Sequence, residues 1–197
     1  MKEIIKCAVC LFILYTILSY FIPKGGPDWF KERPENLTEH IHGYEIVVDF
    51  SKPSCEDRLF IYKSYETAEL VYSGVVLHGN GGNSTPSKPE FSNEIGSNCS
   101  SLGLFTLEGL VKMKDGTEAI KLKGWNDTNS NAEIRRIYIH PCIMATLLPF
   151  NLPGMNFPLN NSSNGCFSVS YHTFNAIKYY MKLVNIGNDK MILYAYY

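Results

Sequence analysis

Short stretches in which apolar and polar residues alternate recur between residues 44 and 140. The alternation is seen in RLFIYKS at Arg58–Ser64 and IRRIYIH at Ile134–His140, and YEIVVDF at Tyr44–Phe50 is a further strand candidate. A period of two places every second side chain on the same face of a β-strand. The thirteen Tyr and eleven Phe residues agree with this interpretation, because aromatic side chains pack well on a pleated sheet. The sequence therefore predicts a mainly β fold.

Further strand candidates follow the same pattern in the rest of the chain. Gly, Pro, Asn and Ser residues separate them, and these residue types favour turns and loops. The candidates are ELVYSGVVLHG at Glu69–Gly79, LGLFTLEGLV at Leu102–Val111, EAIKLKGW at Glu118–Trp125 and MILYAYY at Met191–Tyr197. The first of them continues the pattern of successive antiparallel hairpins. Between residues 80 and 101 the composition predicts a long loop.

Only one segment has the apolar spacing of a substantial helix, and it follows Cys166. Ser170 or Thr173 is suited to cap its N-terminus, because a side-chain hydroxyl can accept a hydrogen bond from a free backbone N–H group. Gly187 stands where a residue of left-handed conformation would end the helix. The apolar positions, three or four residues apart, are Phe174, Ile177, Met181 and Val184. We therefore predict roughly eight strands and one substantial helix.

The N-terminal residues have the composition of a membrane-directed segment. Lys2 and Lys6 precede an uncharged run from Cys7 to Ile22, and this order keeps the N-terminus in the cytoplasm and exports the rest of the chain. No small-x-small cleavage site closes the run, which favours an uncleaved anchor over a removed signal peptide. We predict a signal-anchor at residues 1–23, a tether rich in Pro and Gly at 24–41, and one exported domain at 42–197.

Charge and cysteine spacing limit the possible partners. A net charge of −1 gives no electrostatic reason to bind nucleic acid. Export would place the cysteines beyond the anchor in an oxidising compartment, where two disulfides can form, or at most one if one thiol is catalytic. Their spacing includes no CxxC pair, so we predict no metal site. These cysteines are Cys55, Cys99, Cys142 and Cys166.

Cys166 follows the small polar residues and the glycine of NNSSNG, whereas a buried thiol normally has apolar neighbours. Polar surroundings leave a sulfur accessible to substrate, and a catalytic thiol also needs a nearby base. His140, at the end of a predicted strand, is a candidate for that base. Gly165 permits an unusual φ, so the amides of Gly165 and Cys166 can face a developing oxyanion. The alternative is a disulfide-bonded cysteine and an unrelated histidine.

Four segments, in order, resemble the murein L,D-transpeptidase catalytic-domain family (YkuD-like), in its branch with a longer loop before the nucleophile. IYIH and SNGC are similar to the family's strand ending in Ile-His and to its Ser-x-Gly-Cys motif. VVLHGNGGNS resembles its Val-x-His-Gly strand end. The segment at residues 92–105, SNEIGSNCSSLGLF, resembles its Asn-x-x-Gly-Ser-x-x-Ser-Ser-Leu-Gly-Phe segment. The segment at residues 126–140, NDTNSNAEIRRIYIH, resembles its Asn-x-x-Ala-x-x-Arg-x-Ile-x-Ile-His segment and includes the IYIH motif. The resemblance extends from about Val48 to Tyr194.

The resemblance implies a β-sandwich or barrel enzyme that acts on peptidoglycan. In that family a cysteine attacks the L-to-D peptide bond of a tetrapeptide stem, expels D-alanine and passes the acyl group to an amine, with no cofactor. Its partners would be stem peptides, and we expect a monomer. By the resemblance Cys166 is the nucleophile and His140 the base, while Ser163 supports the loop and Gly165 contributes to the oxyanion hole. The residues expected at the substrate are His78, Asn93, Ser101 and Arg135.

Two of the expected substrate residues also have a structural interpretation. His78 either lines the substrate groove or is a hydrogen-bonded structural histidine. Arg135 either pairs with a stem-peptide carboxylate, which a guanidinium matches with two hydrogen bonds, or belongs to a solvated or ion-paired strand face.

The chain also departs from the family pattern near the proposed dyad. Pro141 replaces the glycine that usually follows the histidine, although its carbonyl can still orient the imidazole. Phe167 and its successors replace the arginine that usually follows the cysteine. Two alternatives to a transpeptidase therefore remain: an L,D-carboxypeptidase or hydrolase of wall peptides, and an inactive wall-binding module.

Overall fold

The computed structural model describes residues 43–64, 68–147, 163–187 and 189–197. The predicted signal-anchor and tether lie outside these residues, as does most of the loop before Cys166. No helix in the described ranges is long and apolar enough to cross a bilayer.

Nine strands and three helices make up the described domain. The strands are β1 (Gly43–Asp49), β2 (Leu59–Ser64), β3 (Ala68–Gly74), β4 (Val76–Leu77), β5 (Gly103–Lys112), β6 (Glu118–Gly124), β7 (Tyr138–Pro141), β8 (Phe167–Val169) and β9 (Ile192–Tyr196). The helices are α1 (Ala132–Arg135), α2 (Ile143–Leu147) and α3 (Tyr171–Asn185). The prediction of a mainly β fold with one substantial helix after Cys166 is confirmed.

All nine strands belong to one sheet, in the order β3-β2-β1-β9-β5-β6-β7-β8-β4. The two strands at its ends, β3 and β4, are consecutive in the chain and separated only by Val75, so the sheet nearly closes on itself. Most neighbours are antiparallel, including the predicted hairpins β1–β2 and β2–β3. The parallel pairs are β1–β9 and β7–β8. A nearly closed sheet leaves few unpaired strand edges.

The alternation seen in the sequence divides the side chains between the two faces of the sheet. In β1, Ile46 and Val48 enter the main core, whereas Val47 joins a smaller cluster on the other face. Three phenylalanines at the centre of the main core contact one another: Phe167 lies 5.8 Å from Phe50 and 5.6 Å from Phe105 between ring centroids. The core thus packs directly behind β8, the strand that follows Cys166.

Helix α3 begins and packs as predicted but ends differently. The Ser170 hydroxyl accepts a hydrogen bond from the Thr173 N–H group at 2.9 Å, which confirms Ser170 as the N-terminal cap. The predicted apolar face is buried against the sheet. The prediction of a left-handed Gly187 was wrong, because the last turn closes instead through a tighter bond from Gly187 N–H to the Val184 carbonyl at 3.0 Å.

The predicted strand at Ile134–His140 was partly wrong. Its first residues form the short helix α1, and β7 begins only at Tyr138. Arg136 separates the two with a left-handed backbone (φ 56°), a conformation that neither a helix nor a strand can continue. The alternation in IRRIYIH is genuine only in its second half, where Ile139 is buried and His140 lies on the opposite face.

Candidate active site

The parallel pairing of β7 with β8 places His140 beside Ser168, two residues after Cys166. His140 is directly opposite Ser168, and the core-facing Ile139 is opposite Phe167. Cys166 immediately precedes β8, so its side chain lies on the same face as Ser168, two positions further on. The structure thus joins His140 to Ser168, a serine that was not among the predicted site residues.

The carbonyl of Pro141 orients the imidazole of His140, as the sequence analysis expected. His140 Nδ1 lies 3.1 Å from this carbonyl oxygen, which can only accept, so Nδ1 carries a proton. In the neutral ring Nε2 is then an acceptor. It lies 3.1 Å from Ser168 Oγ, and the serine hydroxyl therefore donates to it. Replacing the usual glycine by Pro141 leaves this arrangement possible, because proline loses its N–H group but keeps its carbonyl.

The thiol of Cys166 is held by the backbone around β7. Its sulfur accepts a hydrogen bond from the Tyr138 N–H group at 3.4 Å and donates to the Arg136 carbonyl at 3.5 Å. Burial raises the pKa of the Cys166 thiol, although the Tyr138 N–H group and the charge of Arg135 oppose this shift. The resting sulfur is therefore protonated at neutral pH, and a base must remove its proton before it can attack a carbonyl.

The nucleophile loop, Ser163–Cys166, packs closely against the loop at residues 92–101. Gly165 has φ of +108°, and a Cβ atom on it would lie 2.7 Å from the Cys99 carbonyl oxygen and 2.9 Å from Ile137 Cδ1. Only glycine fits both the space and the backbone conformation. The Ser163 hydroxyl donates to the Cys166 carbonyl at 2.7 Å and so stabilises the turn.

Ser100 fixes the peptide bond that precedes the nucleophile. Its fully buried hydroxyl donates to the Gly165 carbonyl at 3.0 Å and accepts from the Gly79 N–H group at 2.9 Å. A trans peptide directs its N–H group opposite to its carbonyl. Holding the Gly165 carbonyl therefore also sets the direction of the Cys166 N–H group, the candidate oxyanion donor.

Arg135 binds the loop at residues 92–101 rather than pointing into open solvent. Its Nη1 atom donates to the Ser92 carbonyl at 2.7 Å and to Ser101 Oγ at 2.6 Å. Its Nη2 atom donates to Ser97 Oγ at 3.2 Å and to the Cys99 carbonyl. Because four loop acceptors use the guanidinium, its surroundings favour a structural role over pairing with a substrate carboxylate. The structural role differs from the one considered from the sequence, since Arg135 lies in α1 and not on a strand. Its charge also lies close enough to Cys166 to favour the thiolate.

His78 is fully buried, and both of its ring nitrogens have partners within the protein. Arg58 Nη2 donates to His78 Nδ1 at 2.7 Å, and His78 Nε2 in turn donates to the Thr85 carbonyl at 3.1 Å. Burial, reinforced by the charge of Arg58, lowers the pKa of His78 to about 3. These contacts favour the structural interpretation of His78 over a place in the substrate groove.

Arg58 is a buried cation that was not predicted from the sequence, because it lies just before β2 in a segment with an ordinary strand pattern. Besides His78, it donates to the carbonyls of Val76 at 2.8 Å and Lys52 at 3.0 Å. Burial lowers the pKa of Arg58 to about 9. The guanidinium still remains protonated at neutral pH and joins the start of β2 to β4.

The two other expected substrate residues also hold loops together. Asn93 donates to the Asp127 carbonyl at 2.7 Å and accepts from the Asn131 N–H group at 3.1 Å, next to α1. The Ser101 hydroxyl is buried and donates to the Ser92 carbonyl at 3.0 Å. Asn93 and Ser101 thus stabilise the loop at residues 92–101, which packs against the nucleophile loop.

The four cysteines of the described residues lie in two environments. Cys99 and Cys166 carry free thiols, and Cys99 Sγ donates to the Ser97 carbonyl at 3.5 Å. Cys55 and Cys142 both pack against a small apolar cluster of Val75, Leu77 and Ala145.

The described ranges include a cavity outside the proposed dyad but no cluster of metal ligands. Across these ranges, no group of three or more His, Cys, Asp or Glu residues could hold a metal ion. A cavity of about 510 Å³ lies at the end of α3, where Tyr44, Leu183 and Asp189 contribute to its lining, and it includes neither His140 nor Cys166.

Comparison with known families agrees with this fold. The family model of the L,D-transpeptidase catalytic domain matches residues 30–196. The chain therefore belongs to the L,D-transpeptidase catalytic-domain family, whose members are cell-envelope enzymes acting on peptidoglycan peptides. The match begins at residue 30, inside the predicted tether. No curated protein matches the chain significantly.

Proposed function

We propose that the protein is a cysteine L,D-transpeptidase that cuts peptidoglycan tetrapeptide stems and transfers the shortened stem to an amine. The observation that supports this proposal is the register of β7 and β8, which pairs His140 with Ser168, two residues after Cys166. Family membership supports the same class of reaction.

In the proposed reaction, the proton of the Cys166 thiol passes to His140 and the resulting thiolate attacks the carbonyl carbon of the L-to-D peptide bond. Negative charge then develops on the carbonyl oxygen. The Cys166 N–H group, oriented through Gly165 and Ser100, would stabilise this charge. The tetrahedral intermediate expels D-alanine, whose nitrogen takes up the proton from His140, and leaves a thioester on Cys166.

The thioester is resolved by a second nucleophile. Attack by an amine of a neighbouring stem would form a cross-link and return the thiol, with His140 accepting the amine proton. Attack by water would release a free tripeptide and make the protein a carboxypeptidase. The products separate these two outcomes, and we propose transfer to an amine as the main one.

The full chain, purified in detergent and incubated with a disaccharide-tetrapeptide, tests the proposal. We expect release of D-alanine and formation of cross-linked dimer, both lost in Cys166→Ala. Equal D-alanine release by Cys166→Ala and the unchanged protein would contradict the proposal.

An inactive wall-binding module is the second candidate, and one observation favours it. Among the described residues, no hydrogen bond joins the thiol of Cys166 to the imidazole of His140. A carbapenem, whose β-lactam carbonyl acylates an activated thiol, distinguishes the two candidates by mass spectrometry. We expect one adduct on the peptide that contains Cys166. Binding to sacculi with no adduct would favour the wall-binding module.

The proposed place of the enzyme is the outer side of the inner membrane. The signal-anchor at residues 1–23 would hold the domain there as a monomer, and the tether at residues 24–41 would let it reach the wall. The apolar run after two lysines supports this proposal.

A further inference from the structure

The resting thiol and imidazole of the site are each bonded to a different partner. Cys166 Sγ donates to the Arg136 carbonyl at 3.5 Å, towards the beginning of β7. His140 Nε2, the nitrogen that must accept a proton, instead lies 3.1 Å from Ser168 Oγ. Direct transfer from sulfur to nitrogen would require the bond between Ser168 and His140 to break. That would leave a fully buried hydroxyl to find another partner.

The hydroxyl of Ser168 has the polarity of a proton relay. Because Nδ1 of His140 donates to the Pro141 carbonyl, Nε2 can only accept, and the Ser168 hydroxyl donates its proton to that nitrogen. The serine oxygen keeps lone pairs that can accept from another donor. Cys166 precedes Ser168 by two residues on the same face, so a change of its χ1 rotamer can turn the sulfur along the strand towards this oxygen.

We propose that Ser168 carries the proton between Cys166 and His140. The thiol gives its proton to Ser168 Oγ while the serine gives its own proton to His140 Nε2, which leaves a thiolate, a neutral serine and an imidazolium. In the reverse direction the imidazolium returns a proton to Ser168, which passes one to the leaving amine. The proposal relies on the proposed function only for the roles of Cys166 and His140.

The charge of Arg135 favours the thiolate that the relay would leave on Cys166.

Alkylation of Cys166 by iodoacetamide tests the relay without any peptidoglycan substrate. The full-length protein and three variants are compared from about pH 6 to about pH 10, the range in which thiols titrate, and the Cys166 peptide is quantified by mass spectrometry. Ser168→Ala removes the hydroxyl, and Ser168→Thr retains one. Ser73→Ala is the control, because it removes another strand hydroxyl, one bonded to Asp57 rather than to the dyad.

We expect Ser168→Ala to lower the alkylation rate at neutral pH by at least about tenfold, since acid–base contributions are typically about 10²–10⁴-fold. The rates should converge at high pH, where the thiol ionises without help. Ser168→Thr should recover most of the neutral rate and Ser73→Ala should not change it. An unchanged or faster neutral rate in Ser168→Ala would overturn the relay, because the hydroxyl would then be dispensable or would merely occupy the base.

A second measurement separates loss of the relay from loss of the fold. Circular dichroism and thermal unfolding show whether Ser168→Ala and Ser168→Thr fold as the unmodified protein does. A Ser168→Thr variant that folds normally but reacts as slowly as Ser168→Ala would contradict the relay. Failure to release D-alanine would instead count against the proposed function alone.

Discussion

Single buried hydroxyl groups position the backbone around Cys166. Ser100 bonds both to the Gly165 carbonyl and to the Gly79 N–H group, and it holds the peptide from which the candidate oxyanion donor projects. A serine of this kind does not touch substrate, so it acts as a positioning residue. Its loss should affect kcat more than KM, because the oxyanion develops only after the substrate has bound.

We predict that Ser100→Ala lowers kcat for D-alanine release by about tenfold or more and leaves KM within about threefold. The unfolding free energy should fall by about 1–3 kcal/mol, because a buried carbonyl and a buried N–H group lose their partner. Steady-state kinetics and urea unfolding measure the two effects. A change of KM alone would show that Ser100 serves binding rather than the orientation of the Gly165–Cys166 peptide.

The pH dependence of stability should report the buried state of His78. Its pKa is lowered to about 3 in the folded protein, whereas an unfolded histidine titrates near 6.5. The unfolded state therefore binds more protons below that value. The contribution of neutral His78 to the free energy of unfolding is complete above pH ~6.5. It is lost as the pH falls towards the folded-state pKa of His78, by at most about 1.4 kcal/mol per pH unit.

Thermal unfolding between about pH 7 and about pH 5, the interval that spans the unfolded histidine pKa, measures this effect. We expect the melting temperature to fall with the pH in the unchanged protein. His78→Gln cannot titrate, so it should start less stable and fall less steeply. An identical slope in both proteins would show that His78 is protonated in the fold.

At the scale of elements, the nucleophile loop depends on one glycine. Gly165 joins the loop to β8 with a φ of +108° and almost touches the Cys99 carbonyl. Gly116, in the turn between β5 and β6, offers a matched comparison, because it also has a positive φ of +85° but has open space where a Cβ atom would be.

We predict that Gly165→Ala abolishes D-alanine release, whereas Gly116→Ala keeps it within about threefold of the unchanged protein. A left-handed alanine costs both variants about 1 kcal/mol, and only Gly165→Ala also displaces the loop at Cys99. Activity assays combined with urea unfolding separate the two contributions. Full activity in Gly165→Ala would mean that the loop need not pack closely for the reaction.

The elements that could be predicted from the sequence are those in which local pattern and tertiary packing agree. Alternation identified β2, a further strand candidate covered β1, and the spacing of apolar residues identified α3 and its cap at Ser170. In IRRIYIH the same alternation misled, because the left-handed Arg136 interrupts it and nothing in the local pattern marks that conformation.

The candidate site was predictable only where a motif carries it. His140, Ser163, Gly165 and Cys166 belong to recognisable segments. In the structure His140 lies in β7, and the Cys166 sulfur contacts the backbone at the start of that strand. Ser168 escaped notice, because its position opposite His140 depends on the pairing of two strands distant in sequence. The roles of Arg135 and His78 depend in the same way on which loop acceptors fold over them.

At the scale of the whole molecule, the proposed signal-anchor and tether precede one nearly closed sheet. We predict that removing residues 1–23 moves the protein from the membrane fraction to the soluble fraction and leaves D-alanine release unchanged. Fractionation of cells, followed by the activity assay, measures both. If the shortened chain still sediments with membranes after carbonate washing, the signal-anchor is not what holds the protein there.

The central claim is that Cys166 forms a thioester with a shortened peptidoglycan stem. It is tested most directly by mixing the full-length protein with tetrapeptide stem, quenching in acid, and measuring the mass of the peptide that contains Cys166. The account predicts an added mass equal to the stem without its D-alanine, and no such mass in Cys166→Ala. The same adduct on another residue, or D-alanine release with Cys166 unmodified at every time point, would contradict it.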